Sequence, residues 1–162
     1  MAFTCPKCKK PFIQRTRVEG TAARLLSLLS LYPFRCQICG HQFSAYQVGG
    51  TAADIKEDRR KFMRFATRFP ATFMLDRLRG KGQVTDISVG GCTLESETTI
   101  PSGSILRLTL MPSASESPIG VDAAIVRSVR GKSVGIEFLR FQPEEKERLN
   151  KYVVQFLVSR QS

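Results

Sequence analysis

From residue 54 onward, apolar and polar residues alternate in short runs broken by clusters of Gly, Pro and Ser. The runs are Ala71-Thr72-Phe73-Met74-Leu75, Gly91-Cys92-Thr93-Leu94-Glu95, Ile105-Leu106-Arg107-Leu108-Thr109-Leu110, Val121-Asp122-Ala123-Ala124-Ile125-Val126 and Ser133-Val134-Gly135-Ile136-Glu137-Phe138. A period of two sends successive side chains to opposite faces of a strand. Short strands at regular spacing with turn residues between them predict a sandwich or small barrel. The pattern then changes: Gln142-Pro143-Glu144-Glu145 places proline and acids where a helix starts, and Leu149, Val153, Phe156 and Leu157 recur at helical spacing with Tyr152 beside them. This predicts an amphipathic helix over 143–158 docked on the β domain, in a fold that is mainly β.

Residues 1–48 differ in character. They hold four of the five cysteines and carry +6, from seven Lys/Arg against one Glu. Gly49-Gly50-Thr51-Ala52-Ala53 reads as a flexible linker. The expected organisation is a small module over 1–48, a linker over 49–54 and a β domain over 55–160. The chain as a whole carries a formal +11, which favours anionic partners without choosing among nucleotides, nucleic acid and acidic membranes. The N-terminus lacks the charged-then-apolar order of a secretory signal. The longest apolar stretch, Leu25 to Leu31, is interrupted by Ser27 and Ser30 and falls short of the roughly 20 residues of a spanning helix. A soluble cytoplasmic protein is expected, and a reducing cytosol favours metal ligation by cysteine over disulfides.

Cys5-Pro6-Lys7-Cys8 and Cys36-Gln37-Ile38-Cys39 are two C-x-x-C pairs. Two-residue spacing lets both thiolates of a pair reach one ion, and two pairs supply the closed tetrahedral set of a structural zinc site. An internal repeat supports this: Cys5-x-x-Cys8-x-x-x-Phe12 matches Cys36-x-x-Cys39-x-x-x-Phe43. Each half reads as a zinc knuckle followed by a strand, with Gly40 suited to a positive φ after the second pair. The 27 residues between Cys8 and Cys36 exceed the commonest spacings, and Ala22–Leu31 is read as a helix filling that gap. Four free thiols, a redox pair and iron are the alternatives to zinc. His41 is read as a knuckle or surface residue rather than a ligand, and Cys92 as a small buried hydrophobe.

Between Lys56 and Lys81 nine basic residues stand against three acidic ones. Arg60 and Arg64 can converge on one anion if this segment wraps a barrel end. A guanidinium offers the planar fork that matches phosphate oxygens and the O6/N7 edge of guanine, and it also stacks on purines. Further on, Asp86 and Ser88 precede a Gly90-Gly91 turn. Asp86 can accept from guanine N–H groups, Ser88 can bond base or phosphate, and Gly91 allows a sharp turn close to a ligand. Each half alone is common in solvated faces and turns. Their joint presence, in this order and ahead of β-rich sequence, is far more specific.

Here the sequence resembles the PilZ family. Arg60-x-x-x-Arg64 matches its R-x-x-x-R motif and Asp86-x-Ser88-x-x-Gly91 its [DN]-x-S-x-x-G motif, and Gly135-Ile136-Glu137-Phe138 resembles the strand that closes its barrel before the last helix. The resemblance, over about residues 55–158, implies a small antiparallel β-barrel that binds cyclic di-GMP, with Arg60 and Arg64 clamping phosphate and guanine and the second motif holding a base. Arg59 resembles the extra arginine of members that bind a stacked pair of ligand molecules. The implied function is a signalling receptor, without enzymatic activity, that alters its contacts with a protein partner on binding. Two other readings are a ligand-independent protein-interaction adaptor and a nucleic-acid binder using Lys7, Lys9, Lys10, Arg15, Arg17 and Arg35.

Overall fold

The computed structural model describes residues 4–16, 29–46 and 61–159. The chain divides into two compact units, Met1–Phe62 and Met63–Ser162.

In the first unit β1 (Ile13–Arg15), β2 (Leu31–Cys36) and β3 (Gln42–Tyr46) form an antiparallel sheet in the order β1-β2-β3. Ile13 lies opposite Cys36 and Phe34 opposite Phe43, so each C-x-x-C turn opens next to a strand. The Phe34 and Phe43 rings stack 6.0 Å apart, giving the unit a small apolar centre in which Phe34 is buried. The helix expected over Ala22–Leu31 does not reach Leu31, which begins β2 after a turn at Leu29-Ser30. Residues 22–28 of that expectation, and the linker at 49–53, lie outside the described residues.

The second unit is a closed antiparallel barrel. Its strands are β4 (Phe65–Leu75), β5 (Leu78–Ser88), β6 (Gly91–Glu95), β7 (Ile105–Leu110), β8 (Ile119–Arg130) and β9 (Ser133–Arg140). They run in the order β4-β5-β6-β9-β8-β7, and β4 pairs back to β7 from Ala71↔Leu110 to Met74↔Arg107. Alternation builds the core: Leu106, Leu108 and Leu110 of β7 are buried, while Ile105 before them and Arg107 between them face out. Closure leaves no free sheet edge in the barrel. Five of the six strands contain the alternating runs; β5 is the strand that alternation does not reveal, because glycines at 80 and 82 and polar residues at 83, 85 and 86 dilute its pattern.

Pro143–Ser159 forms α1, with Glu144 and Glu145 in the first turn where the helix dipole favours acids. Leu149 and Val153, four residues apart, are completely buried against the barrel; side chains of that size each contribute about 1.5–3 kcal/mol when buried. Phe156 stacks on Phe65 at 6.0 Å and Tyr152 meets Phe69 edge-on at 5.8 Å. The Tyr152 hydroxyl lies 3.2 Å from Thr67 Oγ1. Glu145 accepts from the Gly120 amide at 2.8 Å and Arg148 donates to Pro118 O at 2.9 Å, which ties the entrance of β8 to the helix. No helix among the described residues is long and apolar enough to cross a membrane.

Candidate ligand site and metal centre

Arg64 immediately precedes β4 and Asp86 lies near the end of β5. The antiparallel pairing of these strands puts Ala66 opposite Asp86 and Phe65 opposite Ile87, so 22 residues of chain return to the same point. Arg64 Nη1 donates to Asp86 Oδ1 at 2.8 Å and to Thr93 Oγ1 at 2.9 Å. Both charged side chains remain partly open to solvent, at 25% and 30% exposure. Arg64 and Asp86, one residue of each motif, therefore meet on one patch of the barrel wall.

An irregularity in β5 aims Asp86 outward. Between Val84 and Asp86 the register shifts, so Thr85 is an extra residue relative to β6 and Asp86 falls opposite Thr93. Val84 and Ile87 both point into the core with complete burial, and strict alternation would have turned Asp86 inward with Val84. A bulge re-aims a side chain in this way without ending the ladder.

Ser88 and Gly91 are engaged within the barrel. Ser88 is 3% exposed; its hydroxyl accepts from the Gly90 amide and donates to Gly91 O, both at 3.2 Å. The Ser88 hydroxyl is thus engaged within the β5–β6 turn. Gly91 pairs with Glu137 of β9, and a Cβ there would lie 2.2 Å from Ile136 O. The close approach this glycine permits is to β9. Arg59 and Arg60 lie outside the described residues. Thr93 is a member of the patch that motif reading passed over; its signal was its position two residues after Gly91 in an alternating strand. Beneath the patch Cys92 is wholly buried, and its thiol is pushed up to about 12 by burial, with Asp86 adding to the shift and Arg64 opposing it.

In the first unit the Sγ atoms of Cys5, Cys8, Cys36 and Cys39 all lie within 4.8 Å of one another. Cys5 and Cys39 are 3.6 Å apart and Cys8 and Cys36 3.5 Å. Four thiolates around an ion at about 2.3 Å in a tetrahedron would be separated by about 3.8 Å, so the spacing fits a metal. The sequence repeat is also a structural repeat. Lys9 N donates to Cys5 O and Gly40 N to Cys36 O, while Cys5 N donates to Lys10 O and Cys36 N to His41 O. The residue after each pair adopts a left-handed backbone, Lys9 at φ 59 and Gly40 at φ 71. Burial works against the Cys5 thiolate, but the amides of Cys8 and Lys7 with the neighbouring sulfurs outweigh it and bring its pKa down to about 7. Burial pushes the Cys36 thiol up to about 12 and raises Cys39 as well. Four thiolates so close together ionise as a set only around a cation. His41 is outside the cluster and stacks on Phe43 at 6.1 Å. Arg15 lies 3.4 Å over the Tyr32 ring, so one cation of this basic unit is already engaged.

A closed barrel with a docked C-terminal helix and a charged pair on its wall defines a small β-barrel binding domain. The chain matches the PilZ domain over residues 58–155, more than half of its length, and belongs to the PilZ domain family. Receptors of this family are non-catalytic. Among solved structures, the Bacillus subtilis inhibitor of motility (MotI/DgrA) is 14% identical with a TM-score of 0.55, covering 82% of this chain and 75% of that one. The MrkH–c-di-GMP complex of K. pneumonia is 13% identical with a TM-score of 0.53, covering 92% and 78%. The PilZ domain with c-di-GMP of YcgR from Escherichia coli is 16% identical with a TM-score of 0.50, covering 60% and 91%. At these identities the likeness is one of fold. No curated protein matches the chain in sequence.

Proposed function

We propose that this protein is a cyclic di-GMP-binding signalling receptor whose PilZ barrel carries the ligand site and whose N-terminal unit is a zinc ribbon. The observation that carries the reading is the 2.8 Å contact between Arg64 and Asp86, one residue from each motif. Membership in the PilZ family, and two proteins of similar fold solved with c-di-GMP, support cyclic di-GMP as the ligand.

In the free protein Arg64 spends Nη1 on Asp86 and Thr93. The ligand brings phosphate oxygens for the guanidinium, and guanine N–H donors for the carboxylate. Binding exchanges one internal ion pair for two ligand contacts of the same polarity, so neither charge is left unpaired. Arg60 and Arg59 add cations from the preceding segment, and the phosphates offset the mutual repulsion of these arginines. Engagement of these arginines by the ligand is the change that alters contacts with a protein partner. Ser88 and Gly91 act as positioning residues, by fixing the turn that presents Asp86.

Zinc suits four thiolates, and a set with no open position supplies structure rather than Lewis-acid chemistry. Cys5, Cys8, Cys36 and Cys39 hold it and join the two knuckles into one small unit.

Isothermal titration of the full chain with cyclic di-GMP is the test. Binding at micromolar ligand is expected, and Arg60→Ala, Arg64→Ala and Asp86→Ala should each weaken it by about 1.5–3 kcal/mol, roughly tenfold to a hundredfold. A folded protein that gives no heat at micromolar ligand removes the reading.

A further inference from the structure

The segment that carries the first motif has an anchorage on the metal unit. Phe62 stands between Arg60 and Arg64 in the basic run Arg59-Arg60-Lys61-Phe62-Met63-Arg64. Its side chain is half-buried and belongs to the first compact unit, whose boundary falls between Phe62 and Met63, inside the motif. A Cβ at Gly40 would lie 3.3 Å from Phe62 Cζ and 3.6 Å from Cε1, so the ring rests on the backbone of the second knuckle. The Arg35 guanidinium carbon lies 5.9 Å from the ring centroid, within the range at which a cation is drawn to an aromatic face. Arg35 immediately precedes Cys36 and Gly40 immediately follows Cys39. The seat of Phe62 is therefore made by the two residues that bracket the second C-x-x-C pair.

That seat depends on the metal. It needs the turn that Gly40 N closes by donating to Cys36 O at 3.1 Å, with Gly40 at φ 71. Cysteines aside, the buried apolar side chains among the described residues of this unit are Phe34 and Ile38. A core that small does not hold a sheet together in water, and in such units the free energy of metal binding is the free energy of folding. With the four thiolates around zinc the knuckle closes and the seat exists. Without the ion, Arg35 and Gly40 lose their fixed places.

The same segment continues into the ligand site. Arg64 follows Phe62 by two residues, so their Cα atoms lie within about 7 Å, and in the second unit Arg64 donates to Asp86 and Thr93. A ring held on the knuckle restricts the backbone of Met63 and Arg64. Conformational freedom removed before the ligand arrives no longer opposes its binding.

We propose that the four-cysteine centre is a regulatory input to the ligand site: zinc seats Phe62 on the second knuckle and thereby raises the affinity for cyclic di-GMP. This rests on the receptor and zinc-ribbon readings given above and adds the coupling between them. Phe62 is a positioning residue, acting through Arg64 rather than on the ligand. Linkage makes the effect reciprocal, so cyclic di-GMP tightens zinc by the factor with which zinc tightens cyclic di-GMP.

Titration calorimetry of the full chain with cyclic di-GMP, before and after zinc is stripped with a chelator, tests this. Stripping should weaken binding at least about fivefold, the lower end of typical couplings between sites, and added Zn2+ should restore it. Phe62→Ala leaves all four thiols in place and should keep about one zinc per chain. Its affinity should equal that of stripped wild type, with or without zinc, because the link is gone. In the reciprocal measurement, zinc is withdrawn by a chromophoric chelator. Saturating cyclic di-GMP should raise the chelator concentration for half release by the same factor in wild type, and leave it unchanged in Phe62→Ala. Binding of cyclic di-GMP that is indifferent to zinc overturns the proposal and leaves the receptor reading standing. An equal zinc response in wild type and Phe62→Ala overturns it too, because the coupling then bypasses the ring. If Phe62→Ala weakens binding in the stripped protein as much as in the loaded one, the ring touches the ligand and the proposal falls. Absence of binding to zinc-loaded wild type removes the receptor reading and this inference together.

Discussion

Replacing Gly91 with alanine tests whether the third motif position belongs to the ligand or to the barrel. The new Cβ would sit 2.2 Å from Ile136 O, where ordinary contact begins at 3.4 Å, so β6 and β9 must part locally by about 1 Å. Both partners are backbone in a closed barrel, and no flexible side chain can yield. The separation also strains the Gly91↔Glu137 pairing and the bond from Phe138 N to Gly90 O at 2.9 Å. Overpacking of this kind costs about 1–3 kcal/mol, and each weakened hydrogen bond about 1 kcal/mol. Together they predict a loss of about 2–4 kcal/mol. For a domain near this size each kcal/mol lowers the melting temperature by about 4–8 °C, so the fall should lie between about 8 and 32 °C. Thermal melts followed by far-ultraviolet circular dichroism measure it, with the barrel transition identified as the one insensitive to a chelator. Gly120→Ala is the control, because no heavy atom lies within 4 Å of a Cβ there, and it should melt within about 2 °C of wild type. A Gly91→Ala barrel that melts with wild type would refute the steric argument and return the glycine to the ligand.

The remaining expectations use the same two units. Ser88→Ala should lower barrel stability by about 1–3 kcal/mol because its buried turn bonds are lost, whereas Asp86→Ala should change the melt by no more than about 1 kcal/mol while reducing ligand affinity; the melt and the titration together separate the two roles. The Cys92 thiol has an ordinary value of 9.0 and is held neutral up to about 12 in the barrel. The unfolded chain therefore releases this proton first, so its contribution is complete below about 9 and is lost as pH climbs towards 12; alkaline unfolding of Cys92→Ala should show a shallower dependence than wild type across that window. Purified protein should contain about one zinc per chain by mass spectrometry of the metal, and Cys36→Ser should lose it and unfold the first unit while leaving the chelator-insensitive barrel transition in place.

Most of the barrel was legible because its strands obey alternation. Residues 91–95 and 105–110 were marked to the residue as β6 and β7, and the helix over 143–158 differs from α1 by one residue at its end. β5 was not legible, and the reason is physical. A strand is visible in sequence when its inward face is continuously apolar, but Gly80 and Gly82 place no side chain in the core, and the bulge at Thr85 breaks the period before Ile87 resumes it. Leu31 was misassigned to a helix because a run rich in leucine carries no period that separates a buried helix from a short strand.

The turn that follows β5 explains how far the site could be read. Asp86 and Ser88 stand at alternate positions, which in a regular strand means one face. In the barrel the register from Asp86↔Thr93 to Ser88↔Gly91 is regular and the two differ instead in engagement: Asp86 stays partly open beside Arg64, while the Ser88 hydroxyl is buried and held by Gly90 and Gly91. Of the three motif positions, two are fixed by the chain's own geometry and one faces the arginine. That division accounts for the spacing. A turn that closes on a buried serine needs two residues before the chain can pair again, and pairing tightly against β9 needs a glycine at the next position. The motif is thus a β-turn specification that carries one solvent-accessible carboxylate, and the register of β4 delivers Arg64 to within 2.8 Å of it.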